Sequence, residues 1–253
     1  MGVTVTRRCR EVEQPRGGFL NPRDMVVTQL PCTKELENEN VSPALIGLTV
    51  DYLTRYMTTR NAESAFQISL RGAEKGGYTS QALNYLSHLR GLDKESIIAA
   101  LRLSGYDDIC RAGIKSYKPV EDINPDDATV RNIIEMVNRS LNFWQIYGPV
   151  TLDGFTFEED GYTDVVSAGD GDYLTTDTLW EFKVSKEAIP RICYTLQLLM
   201  YWIMGVHSGK KEFYDIKTVG IYNPRLNWVY TYELSKLDPW VIAEIEKNVI
   251  CYR

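Results

Sequence analysis

The hydrophobic pattern of this chain changes period at Gly148-Pro149, and this change constrains the fold more than any other feature. Before it, apolar residues recur at helical spacing, first in the run that Ser42-Pro43 opens, then near 81–89 and 94–103, and last over about 128–147. After it, apolar and polar residues alternate as they do in β-strands. The sequence therefore predicts an α-rich first half and a strand-rich second half.

The second half contains strand-like and helical segments in a definite order. Strand patterns over 150–157, 161–168 and 176–185 precede a helix over about 188–206, and turn signals at 159–161 and 169–172 separate the three strands. Two more strands and a closing helix from Asp238-Pro239 complete the order. We expect an α/β (α+β) protein whose central mixed sheet is flanked by helices. Residues 1–120 would form an α-rich cleft wall and residues 121–253 the core, integrated into one domain.

Composition narrows the class of protein. The chain has 253 residues, of which 44% are hydrophobic and 25% charged, as in ordinary globular proteins. It contains neither a long uncharged apolar run nor a secretory signal, so we expect a cytoplasmic protein with no membrane partner. Five scattered cysteines without a C-x-x-C, and two histidines outside any metal motif, argue against zinc and disulfides. The net charge of -6 does not suggest a protein that coats nucleic acid, although a local basic groove is compatible with it.

Two charged residues interrupt an apolar strand in the segment T-L-W-E-F-K-V-S-K, residues 178–186. Because side chains alternate along a strand, Glu181 and Lys183 share one face. Burying either charge alone costs several kcal/mol, so each needs a partner. Asp177 lies about 13 Å away along the strand, too far to share an ion with Glu181. A hairpin that turns at 169–172 would instead place Asp164 opposite Glu181.

Two neighbouring carboxylates repel each other unless a cation neutralises them. Oxygen ligands of this kind suit Mg²⁺ or Mn²⁺. Such an ion can acidify a bound water, while a nearby ammonium offsets charge on a phosphoryl group. The predicted cluster of Asp164, Glu181 and Lys183 therefore indicates phosphodiester hydrolysis.

The residues at this point resemble a known family. G-Y-T-D (161–164) followed by E-F-K (181–183) is similar to the G-x-x-D and (D/E)-x-K elements of the PD-(D/E)XK nuclease superfamily. Q-L-L-M-Y (197–201) on the next predicted helix is similar to the Q-x-x-x-Y element of the RecB-like and phage-type, lambda-like exonuclease branch. The resemblance covers roughly residues 128–234 and implies a restriction-endonuclease-like core.

The resemblance also implies roles for individual residues. Asp164, Glu181 and the Phe182 carbonyl would bind the metal ion, and Lys183 would be the catalytic lysine. Gln197 and Tyr201 would support the site or contact DNA. Glu135 is the candidate for a third metal-binding acid, with Glu74 as its weaker rival. Lys186 and Arg191 are candidates for binding phosphates. A solvated role for Glu135 stays open, because it lies away from the apolar stripe of its helix.

The function that the resemblance implies is Mg²⁺- or Mn²⁺-dependent hydrolysis of DNA, as an exonuclease on duplex ends, in phage or mobile-element recombination or repair. It implies no iron-sulfur cluster, because no downstream cysteine cluster exists. A homo-oligomer and a recombinase or single-strand-annealing partner are compatible with it. Two alternatives remain open: an inactive nucleic-acid-binding module of the same fold, and a glycoside hydrolase that uses Asp164 and Glu181 as its carboxylate pair.

Overall fold

The computed structural model describes residues 2–32 and 34–253 and divides the chain into two compact units. The sheet unit comprises the residues up to Leu30 together with those from Trp144 onward, and the helical unit comprises Pro31–Phe143. The sequence placed a boundary at 120/121 instead. The first thirty residues belong to the same unit as the C-terminal part because their strands pair with strands of that part and their helix packs on it.

The sheet unit contains strands and helices in both of its chain segments. Its strands are β1 (Val3–Thr4), β2 (Val26–Gln29), β3 (Leu152–Phe155), β4 (Val166–Ala168), β5 (Gly171–Leu174), β6 (Thr178–Phe182), β7 (Thr218–Asn223) and β8 (Trp228–Glu233). The α-helices of the chain are α1 (Val5–Glu11), α2 (Pro43–Thr59), α3 (Ala62–Ala65), α4 (Gln67–Gly76), α5 (Thr79–Ser87), α6 (Lys94–Ser104), α7 (Asp107–Ala112), α8 (Asp127–Tyr147), α9 (Ile192–His207) and α10 (Pro239–Glu244), which a π-helical segment (Ile245–Ile250) continues.

The main sheet has six strands in the order β2-β8-β7-β6-β5-β3, and β1 pairs with β4 separately. Among the described residues, the β6–β7 pair is the only parallel pair of the main sheet. A parallel pair needs a crossover connection, and α9 supplies it. The predicted α/β fold with a mixed sheet and an α-rich first half is confirmed. None of the helices among the described residues is both long and apolar enough to span a membrane.

Local sequence explains where several helices begin. The Ser42 hydroxyl accepts a hydrogen bond from the Leu45 N–H, and Asp238 caps α10 through the Trp240 N–H; proline follows each cap. These predicted starts are confirmed. Helix α9 begins four residues later than predicted, because Pro190 disfavours helical backbone at the residue before it.

The predicted hairpin between 161–168 and 176–185 is wrong. Strand β4 pairs with β1, and β5, which begins inside the predicted turn at 169–172, is the antiparallel partner of β6. The turn itself lies at 175–178, where the Thr175 N–H donates to the Thr178 carbonyl over 2.9 Å. Glycine and aspartate, which are poor strand residues, fill the start of β5, and the actual turn has no glycine to mark it.

The two faces of β6 contact different parts of the sheet unit. On one face, Leu179 belongs to the main core together with α9 residues such as Leu198 and Met200. On the other, Trp180 packs on Tyr147 and Phe182 on Trp144, with ring centroids 5.3 Å apart in both pairs. A polar residue on the first face of β6 therefore points toward α9.

Candidate active site

Four polar side chains meet between β6 and α9. The Lys183 Nζ lies 2.5 Å from the Glu181 Oε1, and the Gln197 Nε2 donates to the same oxygen over 3.0 Å. The Gln197 amide also donates to the Tyr201 hydroxyl over 2.9 Å. We call Glu181, Lys183, Gln197 and Tyr201 the cluster. The structure thus brings together the four residues that the sequence singled out on β6 and α9.

The secondary structure of each element places these side chains. Alternation along β6 directs Glu181 and Lys183 to the α9 side. A spacing of four on α9 gives Gln197 and Tyr201 the same face. The Tyr201 ring stacks on Phe157, with centroids 5.2 Å apart, so its position is fixed by packing as well as by hydrogen bonding.

Asp172, which the sequence assigned to a turn, is the acid that β5 brings to Glu181. The β5–β6 register pairs Tyr173 with Trp180, and continuing it by one residue places Asp172 opposite Glu181 on the same face. The Asp172 Oδ2 accepts a hydrogen bond from the Phe182 N–H over 2.8 Å. A sequence signal for Asp172 was present. Asp172 and Leu174 lie two residues apart, and so do Leu179 and Glu181, so each strand places one acid and one leucine on the same face.

The cluster is recessed and electrostatically coupled. The Glu181 side chain is 4% exposed, whereas that of Lys183 is 24% exposed. Burial of the amine favours its neutral form, but the Glu181 and Asp172 carboxylates favour the charged form more strongly, and the pKa of Lys183 is raised. Burial, reinforced by Glu181, also raises the pKa of Tyr201. Lys183 is therefore cationic and Tyr201 a neutral hydroxyl at neutral pH.

Asp164 does not join the cluster, and the predicted pairing of Asp164 with Glu181 is wrong. It precedes β4, its side chain is 90% exposed, and it pairs with the Arg253 guanidinium at 3.0 Å. The error follows from the misplaced turn, because a hairpin centred on 169–172 brings a different residue opposite Glu181. The glycoside hydrolase alternative loses the carboxylate pair on which it depended.

The remaining predicted residues make other contacts or are exposed. Glu135 forms ion pairs within the helical unit, with Arg139 at 3.0 Å and with Lys34 at 3.6 Å. In the sheet unit, Arg191 is exposed and pairs with Glu187 at 2.6 Å, and Lys186 is exposed in the same loop. Glu74, the weaker rival of Glu135, is exposed on α4.

Residues on β7 and β8 hold the loop that follows Lys183, and the sequence missed both of them. The Asn223 amide donates to the Ser185 carbonyl over 2.8 Å and accepts from the Ser185 N–H over 3.3 Å. The Tyr230 hydroxyl donates to the Ala188 carbonyl over 2.7 Å. No local sequence pattern marks Asn223 for this role, and only the parallel β6–β7 pairing reveals its contact with the loop.

Helix α1 covers α9 on the side of Gln197, and the sequence did not predict it. The Cys9 Sγ lies 3.4 Å from the Met200 Sδ, and burial raises the pKa of Cys9 to about 12. The signal for α1 was present in its cap, where the Thr4 hydroxyl accepts from the Arg7 N–H, and in the i, i+4 spacing of Val5 and Cys9.

The carboxylate oxygens near Lys183 are of the type that binds a hard divalent cation. Asp172 and Glu181 supply carboxylates from adjacent strands, and each carboxylate is oriented by a hydrogen bond of its own. Oxygen donors of this kind fit Mg²⁺ or Mn²⁺ better than zinc. Over residues 2–32 and 34–253, no three His, Cys, Asp or Glu side chains converge closely enough to form a metal site by themselves.

Comparisons with known proteins give no relative for this chain. No protein-family model, no curated protein and no solved structure matches it. Its proposed chemistry therefore depends on the geometry of the cluster.

Proposed function

We propose that this protein is a metal-dependent deoxyribonuclease that hydrolyses DNA phosphodiester bonds. The observation that supports it most strongly is the Lys183 amine, 2.5 Å from the recessed Glu181 carboxylate, on a strand whose neighbour places Asp172 alongside. Two acids on adjacent strands can hold a divalent cation, and that cation together with the Lys183 ammonium would neutralise and orient a phosphoryl group.

Each residue of the cluster has a task in this proposal. Lys183, whose pKa is raised, donates hydrogen bonds to a phosphate oxygen and offsets the charge that develops on it. Gln197 fixes the orientation of Glu181 through its amide. Asp172, Glu181 and the Phe182 carbonyl would hold Mg²⁺ or Mn²⁺. The bound ion would acidify a water and polarise the phosphoryl oxygen.

The finer parts of the proposal depend on the resemblance to the PD-(D/E)XK superfamily. They are a restriction-endonuclease-like core, exonuclease action on duplex ends, and a role in phage or mobile-element recombination with a recombinase or single-strand-annealing partner. In this version of the family pattern, Asp172 takes the place that the sequence motif gave to Asp164.

The test is cleavage of linear and closed-circular duplex DNA in Mg²⁺ or in EDTA. We expect nucleotides to be released from linear DNA only, and only with Mg²⁺. Glu181→Gln, Lys183→Ala and Asp172→Asn are each expected to lower the rate by roughly a hundredfold or more.

Asp164→Asn is the matched control, because it removes the same charge from an exposed aspartate outside the cluster. It should retain close to full activity. Cleavage in EDTA, equal effects of Asp172→Asn and Asp164→Asn, or DNA binding without any cleavage would contradict the proposal.

A further inference from the structure

The backbone of the lysine in the cluster is held by the neighbouring strand. The Lys183 N–H donates to the Tyr222 carbonyl over 2.9 Å, and Asn223 bonds both the N–H and the carbonyl of Ser185. These contacts fix the position of the Lys183 Cα. The four-carbon stem beyond it is flexible, so contacts of the ammonium itself have to determine where the charge lies.

Glu181 and Tyr194 both contact the Lys183 ammonium. The Glu181 carboxylate lies 2.5 Å from the Nζ, and the centroid of the Tyr194 ring lies 5.2 Å from the same atom. An ammonium within about 6 Å of an aromatic centroid is attracted by the negative face of the ring, and more strongly where water is excluded. Because the Lys183 side chain is 24% exposed, this attraction is only partly screened by solvent.

Tyr194 lies on the same stripe of α9 as two residues of the cluster. The positions of Tyr194, Gln197 and Tyr201 differ by three and four, so their side chains share one face of the helix. Gln197 on this face bonds the Glu181 carboxylate. One turn earlier, the same face brings the Tyr194 ring to Lys183.

Tyr194 contacts Lys183 through its ring. Among the residues that the structure describes, the Tyr194 hydroxyl has no hydrogen-bond partner. The ring lines a crevice beside Lys183 together with Pro190 and Ile221, and the free volume of this crevice is about 10 Å³. Since this volume holds about one water molecule, the ring has little room to move away from the ammonium.

In the proposed reaction, the ion pair with Glu181 would not suffice to hold the lysine. Glu181 would share its negative charge with the metal ion, and this weakens its attraction for the Lys183 ammonium. The face of a neutral ring attracts the ammonium whether or not Glu181 is neutralised. Tyr194 therefore supplies the contact that does not depend on the charge of Glu181.

We propose that Tyr194 is a positioning residue, whose ring face holds the Lys183 ammonium where the amine meets the phosphate. This inference rests on the proposed nuclease function and adds to its site a residue that none of the sequence motifs includes. Tyr194 acts through Lys183 and not through a contact of its own with the substrate.

The test compares Tyr194→Leu, which removes the ring, with Tyr194→Phe, which keeps it. In cleavage of linear duplex DNA with Mg²⁺, we expect Tyr194→Leu to lower kcat roughly tenfold and to leave KM within about twofold. Tyr194→Phe should stay within about twofold of wild type in both. The matched control is Tyr214→Leu, which removes the same ring from a tyrosine that is 61% exposed and outside the cluster, and it should change neither constant.

The same substitution in a Lys183→Ala background separates positioning from a general structural effect. Without the ammonium there is nothing for the ring to hold, so Tyr194→Leu should lower the residual rate by less than about twofold. A ring that only supports the fold would lower the rate roughly tenfold in both backgrounds.

A second measurement does not require turnover. In protein labelled with ¹³C at the lysine Cε and kept in EDTA, the ring current of Tyr194 should shift the Lys183 methylene protons upfield. The shift should persist in Tyr194→Phe and disappear in Tyr194→Leu, and the Lys183→Ala spectrum assigns the signal.

Several outcomes would overturn the role of Tyr194 and leave the nuclease proposal intact. They are an unchanged kcat in Tyr194→Leu, equal losses in Tyr194→Leu and Tyr194→Phe, equal losses with and without Lys183, or a Lys183 signal in wild-type protein that is not shifted. Wild-type protein that cleaves no DNA would overturn both proposals.

Discussion

Glu181 shows how one buried carboxylate is stabilised by donors from two elements. Lys183 reaches it from the same strand and Gln197 from α9. A buried charge without such partners would cost several kcal/mol, so the pair of donors accounts for an acid at a position that is otherwise apolar. The two donors are not equivalent, because the amine is partly exposed and can reach a substrate, whereas the amide is buried.

Gln197→Leu tests the positioning role of the amide. Leucine keeps the volume but removes the donor to Glu181, so we expect the free energy of unfolding to fall by about 1–3 kcal/mol. Cleavage in Mg²⁺ should fall as well, because Glu181 loses the contact that orients it. Urea denaturation and initial rates measure the two effects.

Tyr201→Phe is the control for this change. It removes the hydroxyl that accepts from Gln197 but keeps the bond between Gln197 and Glu181 and the stacking of the ring on Phe157. We expect a smaller loss of activity. A loss equal to that of Gln197→Leu would show that the amide is not the group that positions Glu181.

At the scale of elements, the close contact between β6 and β7 positions the cluster against α9. The register pairs Trp180 with Gly220, and a Cβ at Gly220 would meet the Trp180 ring. Glycine inside a strand often marks such a close approach. The glycine therefore leaves room for the indole beside β7, and the indole Nε1–H donates to the Thr175 hydroxyl over 3.3 Å.

Gly220→Ala should overpack this contact and lower the free energy of unfolding by about 1–3 kcal/mol, measured by denaturant titration. Gly91→Ala is the control, because nothing lies within 4 Å of its added methyl group. We expect it to change stability by less than about 0.5 kcal/mol. Equal effects of the two substitutions would contradict the account of Gly220.

At the scale of the whole molecule, the sheet unit is discontinuous in sequence. Strand β2 pairs with β8, and α1 packs on α9, so the first thirty residues complete a unit whose other residues begin at Trp144. The helical unit is an insertion between these two segments. Whether the cluster forms therefore depends on contacts between residues that are far apart in the sequence.

A fragment of residues 121–253, the core that the sequence predicted, lacks both β2 and α1. We expect it to show no cooperative thermal unfolding transition by circular dichroism, because β8 would expose an edge and α9 would lose an apolar cover. Adding back a peptide of residues 1–30 should restore part of the transition. A fragment that melts cooperatively near the temperature of the full chain would show that the first thirty residues are dispensable.

The sequence by itself determined the elements and the pairs that depend on local periodicity. The shared face of Glu181 and Lys183 follows from the alternation of a strand, and the shared face of Gln197 and Tyr201 from the spacing of a helix. Helix starts at Ser42 and Asp238 follow from local capping. Each of these is fixed by backbone geometry within a few residues.

Only the tertiary structure decided which acid faces Glu181 and which elements hold the site. Choosing Asp172 over Asp164 required the register of β5 on β6, and a short strand rich in glycine and aspartate carries little local signal of its own. The anchoring of the loop by Asn223 required the parallel pairing of β6 with β7, between residues 38 positions apart. Strand register and long-range pairing are set by packing across the whole sheet, so no window of the sequence contains them.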